Sequence, residues 1–581
     1  MKKVHTLLDK PVVIIVLLLF ITIPTLLPLF NPGYFSTQDY IYVARIQQMK
    51  VALEDLQFPP RWAPDFRYGE PLYNFYAPLP YYFAAFIKIT AEFLLLQISY
   101  LNLTKFLFMF GFFASVVTMY LLGRRLYGNY AGIVTATLYL YAPYHSVDLY
   151  VRGAISEAYA LIIFPVIFFS VMAYAEKRAT KWFIAIVLSC SALFYTHNIM
   201  TILFSPFILL WMGYWSLKNG WKLLPLFGGA FVLAILSATS YLLPAFFEKN
   251  LVQSSGLTSG YFDFRGHFVS SMQWFYSPWG YGASLWGDED DMSFMLGATH
   301  WATFFLTGVL LIIVLFNRYL KGFTVLLEKD VFEGKKKLWL ILSSAVFSFG
   351  FLFSLFMTHV RSAFIWEEIS LLAFTQFPWR FLGVSIFFVS LFGGLLIYLL
   401  KERLKFWVGL ILILVTIIVN IGYFRPDIYY YDATDQGYIE DVFQSEDRIP
   451  RDYVPRTTID VQRPDLDNPE FQLGTGLISN FHYNAKRASF SVYSASESAI
   501  IEVPVTYFPG WKVESPEDVI MLEPDKYGLI RVELLSAGSK DVVLYFGDTP
   551  IRTVGNILSG ITFSGLLIFG LYSRLRKKKV T

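Results

Sequence analysis

The sequence predicts an α-helical polytopic membrane protein, with about twelve spanning helices and a small β domain outside the membrane near its C-terminus. Three observations carry this. Of 581 residues, 55% are hydrophobic and only 16% charged, and the apolar residues cluster in runs near the length that crosses a hydrocarbon core. The linkers between runs alternate between short basic ones and long ones rich in acids, prolines and tryptophans. Four stretches before the last run, 488–493, 499–505, 529–534 and 541–546, read as short strands, several of them alternating, punctuated by Gly and Pro.

The runs cover 11–30, 103–122, 130–147, 158–175, 183–196, 199–215, 222–243, 301–317, 338–357, 380–400, 406–424 and 553–573. The first follows Lys2, Lys3 and Lys10 without a small-residue cleavage site, and reads as a retained signal anchor. Arg124-Arg125, Lys177-Arg178-Lys181, Lys218 with Lys222, Arg318 with Lys321, Lys335-Lys336-Lys337, Lys401-Arg403-Lys405 and the tail Arg574-Arg576-Lys577-Lys578-Lys579 fall on one side. Short loops so rich in Lys and Arg belong in the cytoplasm, so both termini are expected there. The segments 31–102, 244–300, 358–379 and 425–552 fall outside. Leu79 to Leu96 is apolar enough to cross, but crossing would throw every later basic loop outside. With Lys88 and Glu92 at i,i+4, it is expected to lie on the outer surface.

Within the first outer loop, Ser36 or Thr37 offers an N-cap for a helix carrying Ile41, Ala44, Gln48, Ala52 and Leu56 at helical spacing, with Arg45 and Lys50 elsewhere on its surface. Pro59-Pro60 is expected to end it. The aromatic stretch from Arg61-Trp62 to Tyr81-Tyr82 is irregular backbone, which near a bilayer must pack on protein or line a wet cavity. The chain thus divides into a transmembrane module (1–424), an external β-rich domain (425–552) and a last helix with a basic tail (553–581).

Lone Cys190 excludes an intramolecular disulfide and a cysteine metal cluster. No Walker loop, HExxH or GxSxG is present, and the basic runs flank membrane segments, so no nucleic-acid partner is expected. Asp39 follows the first span, where a carboxylate either complements a helix dipole, accepts a proton or holds a divalent cation. Asp148 and Arg152 form an i,i+4 pair, and Glu157 opens an apolar span, where it needs solvent or a partner. His197 ends another span as a cap or a ligand. Arg380, at the mouth of a span, suits either bidentate phosphate binding or interfacial snorkelling. The acidic run 288–291 lacks the fixed spacing of a calcium loop and reads as solvated.

Asp39, Arg61-Trp62-x-Pro64 and the run from Tyr68-Gly69 through Tyr73-Asn74-Phe75-Tyr76 to Tyr81-Tyr82 together resemble a bacterial membrane-protein family labelled 6-pyruvoyl-tetrahydropterin synthase-related, grouped with GT-C-fold glycosyltransferases. Arg152-x-x-x-Ser156-Glu157, Thr196-His197-Asn198 and Phe377-Pro378-Trp379-Arg380-Phe381 are similar to it as well, and 507–513 resembles the external β domain of lipid-linked sugar transferases. The synthase label does not describe chemistry: a zinc-binding pterin synthase needs three gathered histidines, and here seven are scattered over both sides, so no zinc is expected.

The resemblance implies a membrane glycosyltransferase of a bacterial or archaeal plasma membrane. It would move a sugar from a polyprenyl-phosphate donor to a lipid or envelope-glycan acceptor on the outer face. Asp39 would serve as base or metal ligand, with Glu157 also catalytic, and Arg61, Arg152 and Arg380 on the donor phosphate. Trp62, Tyr68, Tyr73, Asn74, Tyr76, Tyr81 and His197 would contact sugar or lipid. A Mg or Mn ion is a possible cofactor, although the histidine expected four residues after Asp39 is replaced by Val43. A flippase for lipid-linked glycans, or an envelope-assembly scaffold, is the competing reading.

Overall fold

The computed structural model describes residues 10–35, 37–253, 255–287, 289–444, 453–459, 466–514 and 517–578. Lys2, Lys3, His5, Ser36, Asp288 and Lys579 lie outside them. Among the described residues nine helices are long and apolar enough to cross a membrane: Pro11–Phe30, Tyr100–Tyr127, Ile155–Lys177, Asn198–Asn219, Ala298–Leu315, Gly334–Thr358, Pro378–Leu399, Glu402–Tyr423 and Pro550–Arg576. Leu223–Ser237 and Thr239–Phe247, bent by 72° at their junction, make a tenth if taken as one span.

The other two expected runs form helices of fewer than 18 residues. The run at 183–196 is a helix of 17 residues, Thr180–Thr196. The run at 130–147 stops at Leu140, because Pro143 opens a new turn after Ala142 turns extended. The 12-residue helix Asn129–Leu140 is buried from Ala131 onward, as suits a core helix too short to span.

The bundle is organised around Pro378–Leu399, 94% of whose apolar window is inside the protein, whereas Glu402–Tyr423 and Pro550–Arg576 are 17% buried and leave their apolar faces to lipid. Small residues let the central helix approach Asn129–Leu140 closely: a side chain at Gly394 would meet Thr135 Oγ1 at 2.2 Å.

In the first loop, the helix runs Tyr42–Glu54, later and shorter than its sequence suggests. Thr37 does not cap it; its hydroxyl bonds the Tyr42 hydroxyl at 3.0 Å. The chain leaves the helix at Asp55 and Leu56 (φ 57°), ahead of Pro59-Pro60. Leu79–Phe93 has 15 residues, about 22 Å of helix and short of the ~30 Å hydrocarbon core. It packs on Tyr42–Glu54, and Glu92 pairs with both Lys88 and Lys50 at 3.2 Å.

The β domain comprises two four-stranded antiparallel sheets. One orders Gly476–Tyr483, Arg487–Ser494, Gly538–Phe546 and Trp511–Val513; the other orders Glu470–Leu473, Ala499–Thr506, Leu529–Leu534 and Val519–Leu522. Inward residues of both, among them Phe490, Val492, Val503, Ile530, Val532 and Leu544, form one apolar core. Upstream, Tyr429–Tyr430 pairs with Tyr34–Phe35 of the first loop. Asp435 accepts hydrogen bonds from the Tyr100 and Leu101 amides, capping the helix Tyr100–Tyr127.

Candidate functional site

All four long linkers meet at one end of the bundle around a cavity of about 640 Å³. Gln38, Asp39, Arg45 and Tyr76 come from the first, Lys249, Tyr261 and Ser284 from the second, Phe374, Gln376, Phe377 and Trp379 from the third, with Arg380 just beyond it, and Tyr453 from the fourth. Arg152 and His197 join them from the bundle. The basic linkers contribute nothing to the lining. They meet one another instead: Arg178 bonds the Asn219 carbonyl at 3.1 Å, Leu327 bridges Leu400, and Ser573 bonds Thr180 at 2.8 Å.

Local backbone geometry sets Asp39. Its amide donates to the Arg152 carbonyl at 2.8 Å and that of Gln38 to Val151 at 3.0 Å, stitching the first loop to the π-helical turn Val147–Val151. Such turns are rare and frequent at functional sites. Gly153 (φ +68°) makes the approach possible, since a Cβ there would fall 2.2 Å from Thr37 Oγ1. The Asp39 side chain lines the cavity and keeps 37% of its exposure. Burial of the carboxyl raises it above the ordinary 3.8, while Arg45, Arg152 and Arg380 hold the rise back. Arg45 is the nearest, at 4.0 Å, and it is not on the outer surface of its helix. It is buried, with its guanidinium over the Tyr76 ring at 3.8 Å.

Glu157 is wholly buried beneath this floor. Its Oε1 accepts from the Tyr144 hydroxyl at 2.6 Å, and its Oε2 pairs with Arg152 Nη1 at 2.9 Å and Arg380 Nε at 3.5 Å. Arg152 also pairs with Asp148 at 2.5 Å and stacks over Trp379 at 4.6 Å. Arg380 Nη1 donates to the Thr375 carbonyl at 2.8 Å and to Gln376 Oε1 at 3.3 Å. Both guanidiniums are thus held by protein partners, and both oxygens of Glu157 are engaged.

Among the other expected contacts, Tyr76 and His197 line the cavity, and His197 also caps the helix Asn198–Asn219 by accepting from the Met200 amide at 3.0 Å. Tyr81 packs edge-on to Tyr76, and Tyr73 bonds the Arg45 carbonyl at 2.5 Å; both are buried behind the wall.

Arg61, Trp62, Tyr68 and Asn74 stand apart from the cavity. Arg61 pairs with Asp548 at 3.2 Å and donates to Asn74, Asn556 and the Ser240 carbonyl. Trp62 wedges between Trp511 and Phe546 and donates to the Tyr483 hydroxyl at 2.6 Å. The Tyr68 carbonyl accepts from the Thr506 amide at 2.7 Å. An irregular aromatic loop has to pack on something, and here it packs on the β domain.

No group of three or more His, Cys, Asp or Glu is gathered to hold a metal ion among the described residues. Asp39 is surrounded by arginines, a donor set that does not fit Mg or Mn. Within the acidic run Asp290 ties its loop together: it accepts from Ser284, the Leu285 amide and Gln273, and Ser284 in turn bonds His267 at 2.9 Å. Lys249, which lines the cavity, went unnoticed in the sequence because it stands in no motif.

The sequence matches no family model. Over 266 residues it is 27% identical to an uncharacterized protein of Lactococcus lactis subsp. cremoris (strain MG1363), a stretch covering 45% of this chain and 42% of that protein. Two crystal structures of the Archaeoglobus fulgidus oligosaccharyltransferase superimpose loosely. The complex with Zn and sulfate gives a TM-score of 0.39 at 13% identity, covering 76% of this chain and 58% of that one. The form tethered to an acceptor peptide containing the NVT sequon gives 0.37 at 12% identity, covering 73% and 55%. The chain therefore spans less than two thirds of each of these three matched chains, and superpositions this loose carry no argument about chemistry.

Proposed function

We propose that this chain is a membrane glycosyltransferase that moves a sugar from a polyprenyl-phosphate donor to a lipid or envelope-glycan acceptor, at the outer face of a bacterial or archaeal plasma membrane. The observation that carries the reading is the cavity itself: a partly exposed carboxylate, Asp39, shares it with arginines that buried carboxylates hold in place. A lipid phosphate leaving a sugar needs cations at headgroup level. An acceptor hydroxyl needs a base beside them.

In this reading Asp39 takes the acceptor proton as the acceptor oxygen attacks the anomeric carbon. The bond from that carbon to the phosphate oxygen breaks, and the lipid phosphate leaves with the electron pair, its charge met by Arg152 and Arg380. The convergence of the four acid-bearing linkers supports placing the cavity outside, with the basic linkers and both termini in the cytoplasm. Arg61 and Trp62 seat the β domain in this account instead of touching donor.

The test is a transfer assay on purified protein with a panel of polyprenyl-phosphate sugars, with and without chelator. Transfer with at least one donor is expected, and transport of lipid-linked glycan across vesicles without any transfer would replace this reading with a flippase.

A further inference from the structure

Resting on the transferase reading, we propose that Lys249 docks the donor's phosphate in this cavity, alongside the Arg152 and Arg380 that meet its charge as it leaves. It opens the short turn Lys249–Leu251, which follows the bent helix pair ending at Phe247, and lines the cavity from there. The other cations of the lining are already paired: Arg45 with Asp39, Arg152 with Asp148 and Glu157, and Arg380 with Glu157. Four cations thus face three carboxylates, and Lys249 is the one without a carboxylate partner among the described residues. Its neighbour Glu248 is engaged elsewhere, with Arg552 at 2.9 Å and Thr549 at 2.6 Å.

The ammonium of Lys249 lies instead over two aromatic rings, Phe246 at 5.1 Å and Phe374 at 5.9 Å. Phe374 belongs to the turn whose Thr375 carbonyl and Gln376 side chain hold Arg380. The same short segment therefore meets Lys249 through the Phe374 ring and holds the Arg380 guanidinium through Thr375 and Gln376. Aromatic faces hold an ammonium without neutralising it, which leaves it available to an anion. A phosphate ester is the anion that suits a compact point charge beside a planar fork.

The phosphate recognised could belong to the polyprenyl donor, to a bulk phospholipid or to free phosphate, and the experiment separates them. Binding of polyprenyl phosphate to the purified full-length protein is measured by native mass spectrometry for wild type, Lys249→Met and Lys249→Arg, with phosphatidylglycerol and inorganic phosphate as competitors. Lys249→Met is expected to weaken polyprenyl phosphate about tenfold, the size of one charge-assisted hydrogen bond, and Lys249→Arg to restore most of the loss. Neither competitor is expected to displace it at equal concentration. Wild-type affinity in Lys249→Met, or ready displacement by phosphatidylglycerol, would overturn the assignment and leave Lys249 a headgroup anchor. Failure of the wild type itself to bind polyprenyl phosphate would remove the proposed donor class, a distinct outcome that takes this assignment with it.

Discussion

The amide of Asp39 donates to the carbonyl of Arg152 at 2.8 Å, joining the first loop to the turn that carries the buried arginine. The carboxylate and the guanidinium are therefore positioned by main chain, and the contact leaves no room for a side chain at Gly153.

Gly153→Ala should accordingly lower stability by about 1–3 kcal/mol and reduce transfer, because it adds a steric clash to a strained φ. Gly220→Ala is the control. That position is also left-handed (φ +108°), but open space surrounds it, so it should melt closer to wild type and keep activity. Melting in detergent checks both.

Glu157→Gln keeps the contact with Tyr144 and removes the charge that holds two arginines. Breaking a buried pair from one side costs about 3–5 kcal/mol, so the variant should melt earlier and show a raised KM for donor. A variant with unchanged melting and donor KM would show that Glu157 does not position the arginines.

Orientation is open to labelling in a Cys190→Ala background. Cysteines at Glu367 and Ser498 should react with an impermeant thiol reagent in intact cells, and those at Lys177 and Gly334 should not. The reverse pattern would invert the proposed topology.

Glu502 gives the β domain a pH signature. Burial, and then the neighbouring Asp525 carboxylate, push its carboxyl from the ordinary 4.5 up to about 7. Between those values the folded domain holds a proton that the unfolded chain releases, so stability should fall as pH rises from 4.5 through 7. Residues 466–548 expressed alone should show a β circular dichroism spectrum and a melting temperature that drops across this window. Glu502→Gln should flatten the drop, and an unchanged slope would assign it to another group.

Much of this architecture was legible because long apolar runs and basic loops are one-dimensional signals. The strands Arg487–Ser494, Ala499–Thr506, Leu529–Leu534 and Gly538–Phe546 were readable from their pattern. Gly476–Tyr483 was not, since most of its residues stay exposed and a register shift interrupts its pairing. Asp39, Arg152, Glu157 and Arg380 were singled out in the sequence, and the fold brings them together. Their surroundings were hidden, because whether a carboxylate faces a cavity or two arginines depends on packing. Arg61 and Trp62 looked like ligand contacts for the same reason: polar and aromatic residues in an irregular loop serve a domain interface as well as a substrate. Arg45 reads as a surface residue by helical spacing, yet the helix Tyr42–Glu54 is covered on several sides and has little surface left.

The central claim, that Asp39 is the base of a sugar transfer, is tested most directly by Asp39→Asn. The substitution keeps the shape and removes the charge. If the carboxylate only complements a helix start, the cost is about 0.3–1 kcal/mol of stability and activity survives. As a general base it contributes roughly 10²–10⁴-fold in rate. Turnover of polyprenyl-phosphate sugar by purified Asp39→Asn should therefore fall by at least about a hundredfold, with folding and polyprenyl-phosphate binding retained. Turnover near the wild-type rate would contradict the account.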